Sequence, residues 1–348
     1  MNKDMKVLHL LSSNKFSGAE NVVCQMINIF KGEIDMLYCS PYGQIEQCLF
    51  DKNIKYSPIK TLSTNEIKRV IKEYEPDIIH AHDVRASIFA ALSTNQISIV
   101  SHIHGNFGNT NRNFSKSLLY RLFLSKFSKV IVVSESIVNE YMFSNKLKQK
   151  CVVLYNIIDI QMVLEKMKMD NKEYDFDCIF LGRLTYAKNP ERLISITKHV
   201  VKKYPNIKLG IIGDGELRNV IQNQIIKEDM ENNIKMMGFM ENPYKILSQC
   251  KLVIMCSRYE GTPMAILEAM ALGIPIVSTP VDGLKNIIEN GVQGFLDDND
   301  LGLAEYICNI LLNYKLHKRM SQNAKEKAKE ICDINKYKEA IKKIYNEL

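Results

Sequence analysis

Polarity varies along this chain in a repeating rhythm: short runs rich in Val, Ile and Leu, each followed by a longer stretch of helical periodicity. Runs at Lys6–Leu11, Ile34–Tyr38, Ile78–Ala81, Ser98–His102 and Val130–Val133 predict one series of strands. Runs at Val152–Leu154, Cys178–Leu181, Lys208–Ile212, Ile234–Met237, Leu252–Met255 and Ile274–Ser278 predict a second. Runs this short and this apolar suit parallel strands covered on both faces, with the helical stretches as crossovers. The class is α/β with doubly wound sheets, and two series predict two Rossmann-like domains. The boundary is expected near Asp159, just before the charged helical segment Ile160–Lys172. Asn323–Leu348, rich in Lys and Glu, predicts one or two amphipathic helices.

Composition narrows the class. With 348 residues and 46% hydrophobic residues, the chain can fill two cores. No apolar run is long enough to span a bilayer, and the first residues read as a strand rather than a secretory signal. The nine cysteines are scattered without a C-x-x-C pair, which fits reduced core thiols and a cytoplasmic setting. A net charge of +7 only hints at an anionic partner.

Candidate chemistry concentrates after strand ends. Tyr259–Ala271 (YEGTPMAILEAMA) follows the strand run Leu252–Ser257 and opens an apolar helix. Thr262 reads as the N-cap and Pro263 as the first helical residue. A helix start there turns free N–H groups and a positive dipole end toward a phosphate or diphosphate. Glu260 precedes the helix and Glu268 lies inside it, with seven residues intervening. Carboxylates beside an anion site suit hydroxyl ligands, such as those of a sugar and a ribose. Gly182-Arg183 follows another strand, with Lys188 five residues on, so two cations would face the same crevice and steady a departing nucleoside diphosphate. Gly213-Asp214-Gly215 and Gly238 end two further strands and permit tight turns with close ligand approach. Phe239, beside Gly238, reads equally well as a core residue. In the first half stand Ser17-Gly18-Ala19-Glu20, His80-Ala81-His82-Asp83 and His102-Ile103-His104-Gly105. The histidine pairs raise a zinc reading, since His-x-His on a strand puts both rings on one face. Arg112–Lys129 interleaves basic residues with Leu and Phe. It suits either a helix lying on anionic lipid or a core-facing helix with a solvated face.

Together with Asn156-Ile157-Ile158-Asp159, these motifs resemble, in order along nearly the whole chain, the retaining glycosyltransferases of family four. The resemblance implies the GT-B fold: two Rossmann-like domains with an interdomain cleft. It implies an acceptor domain at 1–159, a nucleotide-sugar donor domain at 160–332, and a final helix at about 333–348 crossing back to the first. It gives Glu260, Arg183, Lys188 and His104 catalytic roles. Donor binding falls to Gly18, Gly182, Gly213, Gly215, Gly238, Glu268 and the backbone of Thr262, Pro263, Met264 and Ala265. Glu20 and His82 fall to the acceptor side, with Glu20 placing the acceptor or orienting its loop, while His80 and His102 are expected to be satisfied core histidines. The family more often has two glycines where this chain has Ser17-Gly18.

The reaction implied is retaining transfer from a nucleoside diphosphate sugar, UDP- or GDP-linked, to a hydroxyl acceptor. A polyprenyl-diphosphate-linked glycan of surface polysaccharide assembly, such as capsule or exopolysaccharide, is the expected acceptor. Arg112–Lys129 would rest on the inner membrane face, and no nucleic acid is expected as a partner. No metal or cofactor is expected: Asp297-Asp298-Asn299-Asp300 sits late, in a loop read as a surface turn, and the strand-end histidines have another use. The alternatives are a nucleotide-sugar 2-epimerase of the same fold and a non-catalytic homologue. A dehydrogenase is disfavoured because neither half carries G-x-G-x-x-G after its first strand.

Overall fold

The computed structural model describes residues 5–105, 114–141 and 144–348, without the side chains of 114–116 and 140. The chain divides into two units. One comprises Met1–Ile157 with Ile334–Leu348, the other Ile158–Asp333.

The first unit holds a seven-stranded, all-parallel sheet. Its strands are β1 (Lys6–Leu10), β2 (Asp35–Pro41), β3 (Tyr56–Ile59), β4 (Ile78–Ala81), β5 (Ser98–Ile103), β6 (Lys129–Val132) and β7 (Cys151–Val153). They lie in the order β3-β2-β1-β4-β5-β6-β7. Two differences from the sequence reading have clear causes. Tyr56–Ile59 escaped notice because Pro58 interrupts it, a residue tolerated only because β3 is an edge strand. Cys151–Val153 pairs with β6, so it closes the first sheet rather than opening the second. The closing helix Ile334–Asn346 packs into this unit. It buries Tyr337, Ile341, Ile344 and Tyr345, and Lys338 and Lys342 both bind Glu33.

The second unit holds β8 (Cys178–Leu181), β9 (Leu209–Ile212), β10 (Ile234–Gly238), β11 (Leu252–Met255), β12 (Ile276–Ser278) and β13 (Gly294–Leu296). They form a parallel sheet in the order β10-β9-β8-β11-β12-β13. Its core is aliphatic, with Leu193, Ile196, Leu209, Ile211, Leu252 and Ile307 all fully buried. The Asp297–Asp300 segment is more than a surface turn. Asn299 caps the helix Asp300–Leu312 by accepting from the Leu301 and Gly302 N–H groups. Arg192 bonds both Asp298 and Asp300, and Ser195 also donates to Asp300.

In both sheets the chain runs outward from the first strand in one direction and then restarts on its other side. That makes a switch point between β1 and β4, and another between β8 and β11. Ligands of open α/β sheets bind outside the carboxyl ends of strands at such points.

Candidate active site

The β8/β11 switch point is where the second unit collects its chemistry. Lys188, in the loop after β8, and Glu260, in the loop after β11, meet in an ion pair, with side chains 22% and 10% exposed. Glu260 also accepts from Ser257 Oγ at 2.6 Å. Both charges are therefore held in place rather than left to solvent. The Arg258 N–H donates to the Ala187 carbonyl at 2.8 Å, which ties the two loops together through their backbones. Arg183 lies exposed in the same loop as Lys188 and makes no ion pair among the described residues.

The glycines are required by this packing. Gly213 has φ +138°, and a Cβ there would sit 1.9 Å from the Gly182 carbonyl oxygen. A Cβ on Gly215 would meet the Leu184 oxygen at 2.4 Å. The Gly213 N–H donates to the Gly238 carbonyl at 2.8 Å, and Gly238 itself has φ +73°. The loops after β8, β9 and β10 thus lie backbone against backbone, closer than any side chain would allow. Phe239 is 73% exposed beside them, so the core reading of that residue is corrected.

The helix after Glu260 is Met264–Leu272, one residue later than expected. Pro263 is its N-cap, at φ −76° and ψ 111°, and Thr262 precedes it as a buried residue. A threonine side-chain cap is therefore not what starts this helix. The geometry places the N–H groups of Met264 and Ala265 in the first turn, where no intrahelical acceptor exists. Gly273, in the left-handed region at φ 80°, ends the helix and returns its N–H to Ala269 and Met270.

Glu268 is 8% exposed and accepts from Tyr244 Oη at 3.1 Å. Burial raises its carboxyl from the ordinary 4.5 to about 7, against a smaller lowering by the tyrosine hydrogen bond. A rise of that size is roughly 3 kcal/mol against the ionised form. A buried carboxylate held at that cost needs hydrogen-bond donors, and the tyrosine supplies one.

Two supporting residues were missed in the sequence. Tyr244 lies 24 positions from Glu268, so no spacing rule links them. Gly283 would place a Cβ 1.4 Å from the Gly261 carbonyl oxygen, so only glycine lets its short helix pack against the Glu260 loop.

In the first unit, Gly18 begins the helix Gly18–Ile29, with open space where a Cβ would stand. Ser17 Oγ donates to Glu20, which is only 4% exposed. Glu20 is thus held at the start of its own helix. After β4 and β5, His82 Nδ1 and His104 Nε2 lie 3.0 Å apart. Burial holds His104 down to about 4 and His82 well below the ordinary histidine value, so both rings are neutral at pH 7. The structure adds His9 on β1, which the sequence reading passed over, 2.8 Å from His82. Three nitrogens converge at His9, His80 and His82, and again at His82, His102 and His104.

Known proteins place this pair of units. Residues 44–162 match the profile described as Glycosyltransferase Family 4, and residues 164–327 match Glycosyl transferases group 1. The chain belongs to glycosyltransferase family 4. An uncharacterized glycosyltransferase of Methanocaldococcus jannaschii is 32% identical over 271 residues, covering 72% of this chain and 66% of that protein. The Escherichia coli UDP-Gal:alpha-D-GlcNAc-diphosphoundecaprenol alpha-1,3-galactosyltransferase is 23% identical, covering 98% of this chain and 96% of its own. Among solved structures, Anabaena Alr3699/HepE in complex with UDP superposes with a TM-score of 0.86 at 21% identity, covering 99% of this chain and 100% of that one. The family 4 chain therefore has the GT-B fold. No helix among its described residues is long and apolar enough to cross a membrane.

Proposed function

We propose that this family 4 chain transfers a sugar, with retention of configuration, from a UDP-sugar to a hydroxyl of a lipid-linked glycan. The observation that carries the reading is the Lys188–Glu260 pair at the β8/β11 switch point, in front of the Met264–Leu272 helix start. In this reading Lys188 and Arg183 take the charge that grows on the leaving diphosphate. The first-turn N–H groups of Met264 and Ala265 bind the same phosphates. Glu260 holds hydroxyls of the departing sugar, and Glu268 accepts from the ribose hydroxyls. Gly182, Gly213, Gly215 and Gly238 admit the nucleotide to backbone distance, and exposed Phe239 offers a face for its base. Gly18, His104 and His82 act from the first unit. With two cations and a helix N-terminus available, the reaction runs without a divalent metal.

The choice of UDP and of a lipid-linked acceptor is supported by the relatives, one crystallised with UDP and one named for UDP-galactose and a diphosphoundecaprenol acceptor. A bacterial surface polysaccharide is the setting this acceptor class suits. A feature of the first unit supports work at a lipid surface. On the helix Phe114–Phe123, Leu118, Leu119 and Leu122 are 39%, 46% and 67% exposed, while Tyr120 faces the core. Arg121 is on the same helix, while Lys126, just beyond it, donates to the Ala91 carbonyl and Asn95 Oδ1. Exposed leucines beside basic residues suit insertion at an anionic interface. Arg112 and the side chain of Lys116 fall outside the described residues.

The deciding experiment is nucleotide release from UDP-, GDP- and ADP-sugars, with and without EDTA, beside Glu260→Ala. UDP released from one sugar, insensitive to EDTA and lost in the variant, is expected. Release abolished by EDTA and restored by Mn²⁺ would overturn the metal-free mechanism. Release unchanged in Glu260→Ala would overturn the site.

A further inference from the structure

The two strands that carry the loops of the candidate site part before they end. β8 runs to Leu181 and β11 to Met255, yet they pair only at Cys178 with Leu252 and at Ile179 with Val253. Each keeps its ladder on the other side. β8 pairs with β9 as far as Leu181 and Ile212, and β11 pairs with β12 as far as Met255 and Ser278. The sheet therefore opens at the switch point, which is where a ligand of an open α/β sheet sits. The same opening means that no ladder bond sets the spacing between the Lys188 loop and the Glu260 loop. Contacts beyond the strand ends have to set it.

Each loop is steadied from its own outer side. The Leu184 N–H donates to the Asp214 carbonyl at 2.9 Å, which fastens the first loop toward β9. Thr279 Oγ1 donates to the Ser257 carbonyl at 2.7 Å, and Gly283 packs closely on Gly261, so the second loop is fastened toward β12. Besides the Lys188–Glu260 pair itself, Arg258 crosses the gap. Its N–H donates to the Ala187 carbonyl at 2.8 Å, and its Nη1 donates to the Tyr186 carbonyl at 2.5 Å. Its guanidinium also lies over the Tyr186 ring, with Cζ 4.0 Å from the ring centre. Tyr186 stands two residues before Lys188, and Arg258 two before Glu260. The contacts of Arg258 thus join the two loops directly beside the ion pair.

An arginine suits this place. A planar guanidinium can lie on an aromatic face and donate hydrogen bonds in its own plane at the same time, which an ammonium cannot. Burial does not hold the Tyr186 turn, since Tyr186 is 62% exposed. Lys188 follows that turn, so its place opposite Glu260 depends on what tethers Tyr186. A shift of about 1 Å in a group that acts on a substrate is enough to cost on the order of 100-fold in rate. Arg258 makes no ion pair among the described residues. A direct contact with the phosphates of a nucleotide is therefore the competing use of its charge.

We propose that Arg258 is a positioning residue: it clamps the Tyr186 turn to the Glu260 loop and so fixes Lys188 opposite Glu260 across the gap between β8 and β11. The Tyr186 ring is the other half of the clamp. That the clamped pair serves sugar transfer rests on the glycosyltransferase reading above. The clamp itself does not.

The test compares Arg258→Ala, Arg258→Lys, Tyr186→Leu and Tyr186→Phe in the full chain. Both positions are exposed, so each variant should keep its fold. In Arg258→Ala, hydrogen exchange read by mass spectrometry should quicken several-fold in peptides covering 183–190 and 256–262, with the rest of the second unit unchanged. Over the UDP-sugar panel above, kcat for UDP release should fall roughly tenfold in Arg258→Ala. It should fall several-fold in Arg258→Lys and Tyr186→Leu. Tyr186→Phe keeps both the ring and the carbonyl, and should stay near the wild-type rate. Arg258→Lys keeps the charge without the flat fork, so its failure to restore the rate separates a clamp from a phosphate contact. A wild-type rate in Arg258→Lys, or in Tyr186→Leu, overturns the proposal. So does unchanged exchange in Arg258→Ala. If the wild-type chain releases no nucleotide, the glycosyltransferase reading fails while the exchange data still decide the clamp.

Discussion

At the residue scale, the candidate site holds a few charges whose neighbours keep them in place. Removing either partner of the Lys188–Glu260 pair should cost about 100-fold or more in UDP release, with the circular dichroism spectrum retained. Glu268 makes a subtler prediction. Its carboxyl is raised in the fold, to about 7, so the folded chain binds the proton more tightly than the unfolded chain between pH 4.5 and 7. Its contribution to stability is therefore favourable at low pH and is lost as pH rises through that window. Ribose hydroxyls would favour the ionised form, so UDP affinity should fall several-fold between pH 7.5 and 6 by titration calorimetry. Glu268→Gln should bind UDP more weakly, without that pH dependence, and melt at a higher temperature at pH 8. Glu268 was legible in the sequence because a Glu inside an almost wholly apolar helix is out of place, and Glu260 because it stands just ahead of that helix start. Tyr244 was not, because its contact depends on how two distant helices pack.

At the element scale, the site is built from loops pressed together where only glycine fits. Gly213→Ala combines a left-handed backbone with a Cβ 1.9 Å from a carbonyl oxygen. It should destabilise the second unit by about 2–3 kcal/mol, read from its urea midpoint, and reduce UDP binding in parallel. The glycines could be read as turn formers, but the Gly182–Gly213 and Gly215–Leu184 contacts belong to adjacent loops that meet only once β8 and β9 pair. Exposure of Leu118, Leu119 and Leu122 likewise could not be read from the interleaved pattern of Arg112–Lys129. Periodicity shows that a helix has two faces, while packing decides which one is covered. Leu118→Asp with Leu122→Asp should weaken flotation with anionic liposomes and leave thermal stability within about 0.5 kcal/mol, since both side chains are exposed. Undiminished flotation would assign these leucines another role.

At the scale of the whole molecule, five clustered histidines, four buried and His104 half-buried, should make the fold acid-sensitive. Burial holds His9 at about 3 and His104 at about 4, and the other three well below 6.5. The unfolded chain therefore binds more protons below pH 6.5, and stability falls as pH drops through that value toward 4. Glu268 opposes this trend, but as one group against five. The urea midpoint should drop between pH 7.5 and 5.5 by the equivalent of several kcal/mol, and an unchanged midpoint would mean the rings are charged in the fold. Sequence by itself determined the α/β class, the two strand series and the motifs after their strand ends, because period and composition are local properties. It missed β3 and β13, which are short edge strands with little apolar signal. It put Val152–Leu154 in the second series, whereas Cys151–Val153 pairs with β6 in the first sheet, because a strand's sheet is a matter of pairing. Tertiary structure alone gathered His9 with the two His-x-His pairs, set Tyr244 on Glu268 and brought Tyr345 from the last helix onto His80. Those contacts join residues up to 265 positions apart, and only the folded chain gives them a distance.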